Sequence, residues 1–152
     1  IRSKRNHIIL VSAINSLNVG KQRTKGYLKA MENAGLSSVI LEANLYQIEN
    51  VLKDYAENNA FDAVIALDTD ASFAAYKVAN ELGKNIPSDI AVIGYMSERI
   101  APYLTPELTT INQHSYTMGE TAAKMLLAQL ESKQNTDQTI LIDSTLSQRV
   151  SS

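Results

Sequence analysis

The sequence predicts an α/β fold, an open and mostly parallel sheet flanked by helices. Short apolar runs rich in β-branched residues alternate with segments of helical period, and each run is too short to be a helix. The runs are apolar throughout, as in parallel strands covered on both faces. Crossover connections between parallel strands are almost always right-handed, so the order βαβαβαβ leads to this architecture. The 152 residues suffice for one hydrophobic core.

Four strands are predicted, with three amphipathic helices between them. The strands occupy residues 7–13, 39–43, 61–67 and 90–95. The apolar faces of the helices are Tyr27, Leu28, Met31 and Ala34 in the first, Ile48, Val51, Leu52 and Tyr55 in the second, and Ala75, Val78, Ala79 and Leu82 in the third. Gly35 and Gly83 are predicted to end the first and third helices.

The pattern changes after the fourth strand. Residues 96–110 contain Pro102 and Pro106 without any period, which predicts a long loop. A fourth helix follows, and its apolar residues are Ala123, Leu126, Leu127 and Leu130. Residues 134–138 are predicted to form a turn before a last strand at 139–142.

Composition excludes several classes of protein. The chain has no cysteine, so disulfide scaffolds, thiolate metal sites and cysteine nucleophiles are excluded. The two histidines lie 107 positions apart without carboxylates at ligand spacing, so no metal site and no cofactor are expected. No apolar run approaches the roughly 20 residues of a membrane span, and no membrane partner is expected. The chain begins with Ile, from which we expect a piece of a longer protein or a processed product.

Charge is unevenly distributed along the chain. The net charge is −2, which argues against a nucleic-acid-binding surface over the whole chain. Residues 1–31, however, hold seven of the fourteen basic residues and no acidic one: Arg2, Lys4, Arg5, Lys21, Arg23, Lys25 and Lys29. Either this is a solvated terminus with one basic helix face, or it contributes to a site for an anionic or polyhydroxylated ligand.

Polar residues follow the predicted strands, at the edge of the sheet where ligands bind in open α/β folds. The candidates are Asn15, Ser16 and Arg23 after the first strand, Asn44 and Tyr46 after the second, Asp68 and Asp70 after the third, and Met96, Ser97, Glu98 and Arg99 after the fourth. Sugar-like ligands require such a mixture of planar polar groups and aromatic faces. Asp68 or Asp70 alternatively caps the following helix.

Six segments, in the same order along the chain, resemble the effector-binding domain of the LacI/GalR family of bacterial transcription regulators. They are residues 22–27 (QRTKGY), 68–83, 87–95 (PSDIAVIGY), 103–113 (YLTPELTTINQ), 118–123 (MGETAA) and 148–149 (QR). The resemblance covers nearly the whole chain. It implies a type I periplasmic-binding-protein-like fold, with residues 1–112 and 139–152 in the C-terminal lobe. The helix at 113–132 would belong to a missing N-terminal lobe and leave its apolar face partly uncovered, to be buried by a partner chain or a swapped contact.

The resemblance also implies a binding site. Arg23 would clamp ligand hydroxyls or an acidic group, Tyr46 would stack on a ring, and Asp68 would contact the effector. Gln113 would reach the ligand from the crossover between lobes. Met96 occupies a position where the family usually has an Asp, and a thioether cannot accept hydroxyl hydrogen bonds in the same way. An unmodified hexose in the usual pose is therefore not expected. Either the ligand is more apolar or phosphorylated, or the site has lost its response to an effector.

The function implied is that of the ligand-sensing, dimerising part of a cytoplasmic repressor. A small sugar-like effector would change the affinity of a helix-turn-helix, absent from this chain, for operator DNA, and a homodimer without enzymatic activity is expected. One alternative is the solute-binding receptor of a transporter, which has the same fold. Another is a small enzyme in which Asp68 and Asp70 hold a metal for phosphoryl chemistry; neither a phosphate loop nor a zinc-protease motif is present in the sequence.

Overall fold

The computed structural model describes residues 5–132 and 138–152 of the chain. In order, the elements are β1 (Ile8–Ser12), α1 (Asn18–Ala34), β2 (Val39–Glu42), α2 (Ile48–Asn58), β3 (Ala63–Ala66), α3 (Thr69–Glu81), β4 (Ala91–Gly94), a 3₁₀ turn (Ala101–Tyr103), β5 (Thr109–Asn112), α4 (Ser115–Ser132) and β6 (Thr145–Ser147). Arg2 and Lys4 of the basic segment, and most of the predicted turn at 134–138, lie outside the described residues.

The strands form a six-stranded sheet in the order β2-β1-β3-β4-β5-β6. The first five strands run parallel, and β6 pairs antiparallel with β5 through Thr145–Ser147. This confirms the predicted fold class and the four predicted strands. Their apolar side chains are buried or partly buried on both faces, because helices cover the sheet on both sides.

The core has a larger and a smaller part. The larger part joins the sheet to α2 and α3 through residues such as Leu52, Val64 and Val78. The smaller part joins Leu10 and Leu67 to Tyr27 and Met31 of α1. The predicted apolar faces of α2 and α3 are confirmed as buried or partly buried.

The predicted face of α1 is only half right. Tyr27 and Met31 are buried, whereas Leu28 is 39% exposed and Ala34 is also exposed. The buried residues of this helix follow a narrow line, Gly20, Tyr27 and Met31, because α1 touches the sheet along a single stripe. Gly35 ends the helix with a φ of 66°, as predicted.

Gly20 allows α1 to pack tightly against the loop that precedes it. A Cβ atom at this position would lie 2.2 Å from the carbonyl oxygen of Ile14. No side chain fits there, so the close approach of helix and loop depends on glycine. This contact fixes the first turn of α1 at the carboxyl end of β1, where the ligand-binding edge of the sheet lies.

Two predictions after the fourth strand are wrong. The loop predicted for residues 96–110 ends earlier, since β5 begins at Thr109. The strand predicted at 139–142 is not observed, and the actual strand is Thr145–Ser147. A β-strand requires hydrogen bonds to a neighbouring strand. Ile140, Leu141 and Ile142 instead line an apolar hollow together with residues of α4.

The fourth helix lies apart from the sheet core. Leu126, Leu127 and Leu130 are 57%, 59% and 67% exposed, and Leu141 of the neighbouring segment is 87% exposed. These side chains form an apolar surface that the described residues leave uncovered. The sequence analysis predicted that this face would be partly uncovered, and the observed exposure agrees.

Candidate functional site

A cleft of about 560 Å³ lies at the carboxyl ends of β4 and β5. Its walls combine two aromatic rings, Tyr95 and Tyr116, with the amides of Asn112 and Gln113. Met96, Glu98, Arg99 and His114 also line it. This is the edge of the sheet where open α/β folds bind ligands, and the lining has the mixed polar and aromatic character expected of a site for a small polar molecule.

Arg23 connects α1 to this cleft. Its Nη1 donates a hydrogen bond to the carbonyl oxygen of Leu67 at 2.6 Å, and its Nη2 donates to Oε1 of Gln113 at 2.6 Å. The guanidinium lies over the ring of Tyr95, 3.8 Å from the ring centroid. Two predicted site residues, 90 positions apart in the sequence, are thereby joined directly.

The surroundings of Arg23 also act on its pKa. Partial burial lowers the pKa of the guanidinium from its ordinary value, while Tyr95 and the carboxylate of Asp68 raise it. An arginine keeps its positive charge in proteins despite such a shift. The result is a fixed, stacked cation at the rim of the cleft, a group suited to hydroxyl or anionic groups of a ligand.

Both carboxylate oxygens of Asp68 accept hydrogen bonds from the backbone. Its Oδ1 accepts a hydrogen bond from the amide of Ala71 at 2.8 Å, which caps the N-terminus of α3. Its Oδ2 accepts from the amide of Ala13 at 2.7 Å. The capping alternative is therefore what the structure displays, and the carboxylate ties the end of β1 to the start of α3. Direct contact with an effector stays a prediction.

Met96 and Tyr46 occupy contrasting environments. Met96 is 6% exposed and packs in the larger core, with its side chain forming part of the wall of the cleft. Tyr46 is 84% exposed on the loop after β2 and is not among the residues that line the cleft. The structure thus places Gln113 and Met96 in the lining of the cleft and Arg23 beside it, in contact with Gln113 and Tyr95. Tyr46 does not line the cleft, and its stacking role stays a prediction.

Glu98, a candidate named after the fourth strand, lines the cleft and is joined to Thr110 and Arg149 in a network that the sequence analysis did not predict. The Glu98 carboxylate accepts hydrogen bonds from Oγ1 of Thr110 and from the guanidinium of Arg149, with which it forms an ion pair. Arg149 also donates to the carbonyl oxygen of Leu108 and to Oγ1 of Thr110, each at 2.8 Å. The only signals in the sequence were the position of Glu98 after the fourth strand and the closing Gln148–Arg149 segment.

This network acts on the pKa of Glu98. Partial burial raises the pKa of its carboxyl group, but the hydrogen bonds from Thr110 and Arg149 lower it by more. The net pKa lies below the ordinary value, so the group is ionised at neutral pH. A negatively charged, oriented carboxylate therefore borders the cleft.

His114 stands at the junction between the sheet and α4. Its φ is 51°, in the left-handed region that side chains other than Gly rarely adopt. Its amide donates to Oδ1 of Asn112 at 2.8 Å, and its Nε2 lies 3.0 Å from Oγ1 of Thr145. The two segments that run between the sheet and α4 are joined at this point.

A smaller hollow of about 340 Å³ lies at the carboxyl ends of β1 and β2. Ser12, Asn15, Glu42 and Asn44 line it, among others. Oδ1 of Asn15 accepts from the hydroxyl of Thr24 at 3.0 Å, while its buried Nδ2 makes no hydrogen bond to any described residue.

The described part of the chain contains no metal-binding cluster and no membrane-spanning helix. Within residues 5–132 and 138–152, no group of three His, Asp or Glu side chains is placed to hold a metal ion. Over the same ranges, no helix combines the length and apolar character required to cross a membrane.

Known proteins resemble this chain in sequence. Residues 1–152 match the family described as periplasmic binding protein-like domain. The HTH-type transcriptional repressor PurR of Erwinia tasmaniensis is 37% identical over 143 residues, which cover 87% of this chain and 40% of that protein. PurR of Yersinia enterocolitica is 34% identical over 147 residues, 88% of this chain and 41% of that protein. The chain thus spans about two fifths of the length of these curated relatives.

Solved structures resemble it in fold. A LacI family transcriptional regulator from Enterococcus faecium, with bound ribose, superposes with a TM-score of 0.85 at 27% identity and covers 97% of this chain and 57% of that one. A transcription regulator from Lactobacillus plantarum superposes with a TM-score of 0.89 at 19% identity, over 99% of this chain and 60% of that one. The second likeness concerns the fold alone.

Proposed function

The chain belongs to the periplasmic-binding-protein-like domain family, and on that premise we propose that it is the ligand-sensing and dimerisation part of a LacI/GalR-type transcription regulator. The resemblance to LacI/GalR regulators that the sequence suggested is confirmed by the repressor relatives and by the Enterococcus faecium regulator. The whole protein would bind a small, sugar-like effector and operator DNA, the latter through a helix-turn-helix outside this chain.

The observation that carries the proposal is the contact of Arg23 with both Tyr95 and Gln113 beside the cleft. Arg23 has five N–H donors, and its hydrogen bonds to Leu67 and Gln113 use two of them, which leaves donors for a ligand. Stacking on Tyr95 and the bond to Gln113 fix the guanidinium before a ligand arrives, which lowers the entropic cost of binding. A planar, preoriented donor next to an aromatic face suits adjacent hydroxyl groups of a sugar.

We further propose that residues 1–112 and 139–152 form the C-terminal lobe of a two-lobed domain, and that the helix at 113–132 belongs to the N-terminal lobe. Support comes from the exposure of Leu126, Leu127 and Leu130, which a second lobe would cover. A contiguous apolar surface of this kind on a soluble protein marks an interaction site. The segment at 139–142 would then pair with a strand of that lobe.

The proposed mechanism is a shift of population rather than a chemical reaction. An effector held between the two lobes stabilises one orientation by its differential affinity, and the dimer transmits that orientation to the DNA-binding segment. Gln113 lies where the chain passes from the sheet to α4, and it accepts a hydrogen bond from Arg23. A ligand bound at Arg23 would therefore act directly on the connection between the two lobes. We propose a homodimer in the cytoplasm without enzymatic activity.

A binding experiment on the protein expressed from its complete gene tests this proposal. Isothermal titration with D-ribose, D-glucose, D-glucosamine and D-ribose 5-phosphate is expected to identify at least one ligand. Arg23→Ala should weaken its binding about tenfold or more, because a charged hydrogen-bond donor is lost. Lys29→Ala, an exposed change on the same helix, is the matched control and should leave binding unchanged.

Equal affinities for wild type and Arg23→Ala would overturn the assignment of the site. If no probe binds, the proposal of a sugar-like effector is wrong. Turnover of any probe would overturn the non-enzymatic mechanism.

A further inference from the structure

We propose that Glu98 is a specificity-determining residue of the cleft, whose carboxylate accepts a hydrogen bond from a hydroxyl or amino group of the effector. This deepens the proposed function and rests on it. The ligand class that follows is a neutral polyhydroxylated or amino-bearing molecule, with a donor group directed at β4 and β5. A phosphate or carboxylate group at the same position would be disfavoured.

Glu98 is placed to meet a ligand. Among the described residues that line the cleft it is the sole carboxylate, and its side chain is 34% exposed. Tyr95 and Tyr116 line the same cleft, so a ligand lying against their rings would have the carboxylate within the same enclosure. Glu98 therefore combines access to the cleft with partial shielding from water.

The carboxylate is fixed before any ligand binds. Thr110 donates to Oε1 and Arg149 donates to Oε2. Arg149 is in turn held by the carbonyl oxygen of Leu108 and by Oγ1 of Thr110, and its backbone amide donates to Oγ1 of Thr109 at 2.9 Å. Ser147 also contributes a side-chain hydrogen bond to this carboxylate. Two carboxylate oxygens offer about four lone-pair positions, so these bonds still leave acceptor capacity for a ligand.

The neighbouring residue cannot perform this role. Met96 also lines the cleft near the end of β4, but it is 6% exposed and offers only a thioether sulfur, a weak acceptor. An ionised carboxylate accepts hydrogen bonds and donates none. The negative charge of Glu98 therefore attracts hydrogen-bond donors of a ligand and repels anionic groups. Both the attractive and the repulsive contact contribute to specificity.

The competing interpretation is that Glu98 only ties the loop after β4 to β6 through Arg149. The two interpretations differ in their consequences for Glu98→Gln, which keeps the shape of the side chain and removes its charge. If Glu98 has only this structural role, Glu98→Gln would weaken the binding of every ligand by a similar factor, and the loss would parallel the loss of protein stability. Loss of a specificity determinant would change the ratio of affinities between neutral and anionic ligands.

The test is isothermal titration of the protein expressed from its complete gene with D-ribose, D-glucosamine and D-ribose 5-phosphate. Wild type is expected to prefer a neutral or amino-bearing probe over the phosphate. Glu98→Gln should reduce that preference about tenfold or more, the effect of losing a hydrogen bond to a charged group. Glu107→Gln, an exposed carboxylate outside the cleft lining, is the control and should keep the wild-type ratio.

Each other outcome overturns a defined statement. An unchanged ratio in Glu98→Gln, or an equal loss for all probes that follows melting temperature, overturns the role of Glu98 and leaves the proposed function intact. Failure of wild type to bind any probe overturns the sugar-like effector and this inference together. If the melting temperature of Glu98→Gln is too low for titration, Glu98→Asp is the second variant. It keeps the negative charge but has a side chain shorter by one methylene group. It should bind the preferred probe at least about threefold more weakly, and wild-type affinity would contradict the inference.

Discussion

Arg23 owes its position to contacts that no local pattern in the sequence contains. Its identity as a candidate came from a motif near the start of α1, and Gln113 came from a segment 90 residues later. Their hydrogen bond arises because β1, which precedes α1, and β5, which precedes Gln113, lie in the same parallel sheet and have their carboxyl ends at the same edge. The residue types were therefore predictable, and the partners Leu67 and Tyr95 were not.

Glu98 and Arg149 illustrate the same limit. They are 51 positions apart, and their contact depends on the pairing of β6 with β5, which the sequence analysis placed in the wrong segment. A last strand at 139–142 does not supply the register that brings Arg149 to Glu98. Tyr46 had a favourable residue type, but it follows the edge strand β2, at the opposite side of the sheet from β5.

Asp68→Asn tests the structural role of that carboxylate. Asn retains one acceptor oxygen but sets its amide nitrogen against a second backbone N–H, so one of the bonds to Ala71 and Ala13 is lost. We expect the free energy of unfolding to fall by about 1–2 kcal/mol in urea denaturation. Asp70→Asn, an exposed change two residues away, should stay within about 0.5 kcal/mol of wild type. Equal effects would contradict the capping role.

The stability contributed by Glu98 should depend on pH. Its pKa in the folded protein is below the ordinary value, so its ionised form stabilises the fold. That contribution is complete above the unfolded-state pKa of about 4.3 and disappears as pH falls through the lower folded-state value. The difference in unfolding free energy between wild type and Glu98→Gln should be constant from pH 7 to about 5 and shrink below it. A difference that grows on acidification would show the opposite pKa shift.

At the scale of elements, the first helix depends on a close contact with the loop before it. A Cβ at Gly20 would meet the carbonyl oxygen of Ile14 at 2.2 Å, whereas one at Gly26 would meet nothing within 4 Å. Gly20→Ala should lower the free energy of unfolding by about 1–3 kcal/mol. Gly26→Ala should leave it unchanged or raise it by up to about 1 kcal/mol through helix propensity. Comparison of the two by chemical denaturation checks the packing of α1, and a stabilising Gly20→Ala would contradict it.

The fourth helix differs from the other three in having an uncovered apolar face. Its helical period was predictable because periodicity is a local property, and so were the four strands and the Gly35 helix end. Which part of the protein covers the apolar face of α4 depends on tertiary packing, which local periodicity does not predict. The segment at 139–142 was read as a strand for its apolar pattern alone, yet in the described structure it has α4 and no strand beside it.

Leu126→Glu distinguishes an exposed face from a hidden interface. In the 152-residue chain the side chain is 57% exposed, so the unfolding free energy should change by less than about 0.5 kcal/mol. In the protein from the complete gene, where a second lobe would bury the position, the same change should cost about 2 kcal/mol or more. Leu52→Ala, in the core, should destabilise both forms by about 2–5 kcal/mol. A negligible effect of Leu126→Glu in both forms would contradict the lobe assignment.

At the scale of the whole molecule, the proposed two-lobed organisation would make the crossing at His114 one side of a hinge. Five parallel strands carry the cleft, an antiparallel sixth returns to them, and both connections to α4 pass the point where His114 meets Thr145. A ligand between Arg23 and the amides of this crossing would act on the relation between the sheet and α4. Such an arrangement suits a sensor whose output is the orientation of a second lobe.

The most direct test of the regulator assignment is the nucleotide sequence of the gene upstream of the codon for Ile1. The account predicts a helix-turn-helix followed by a βα lobe whose apolar surface complements Leu126, Leu127 and Leu130 of α4. A cleavable signal peptide without a helix-turn-helix would contradict it, and would assign the Arg23 cleft to a transport receptor.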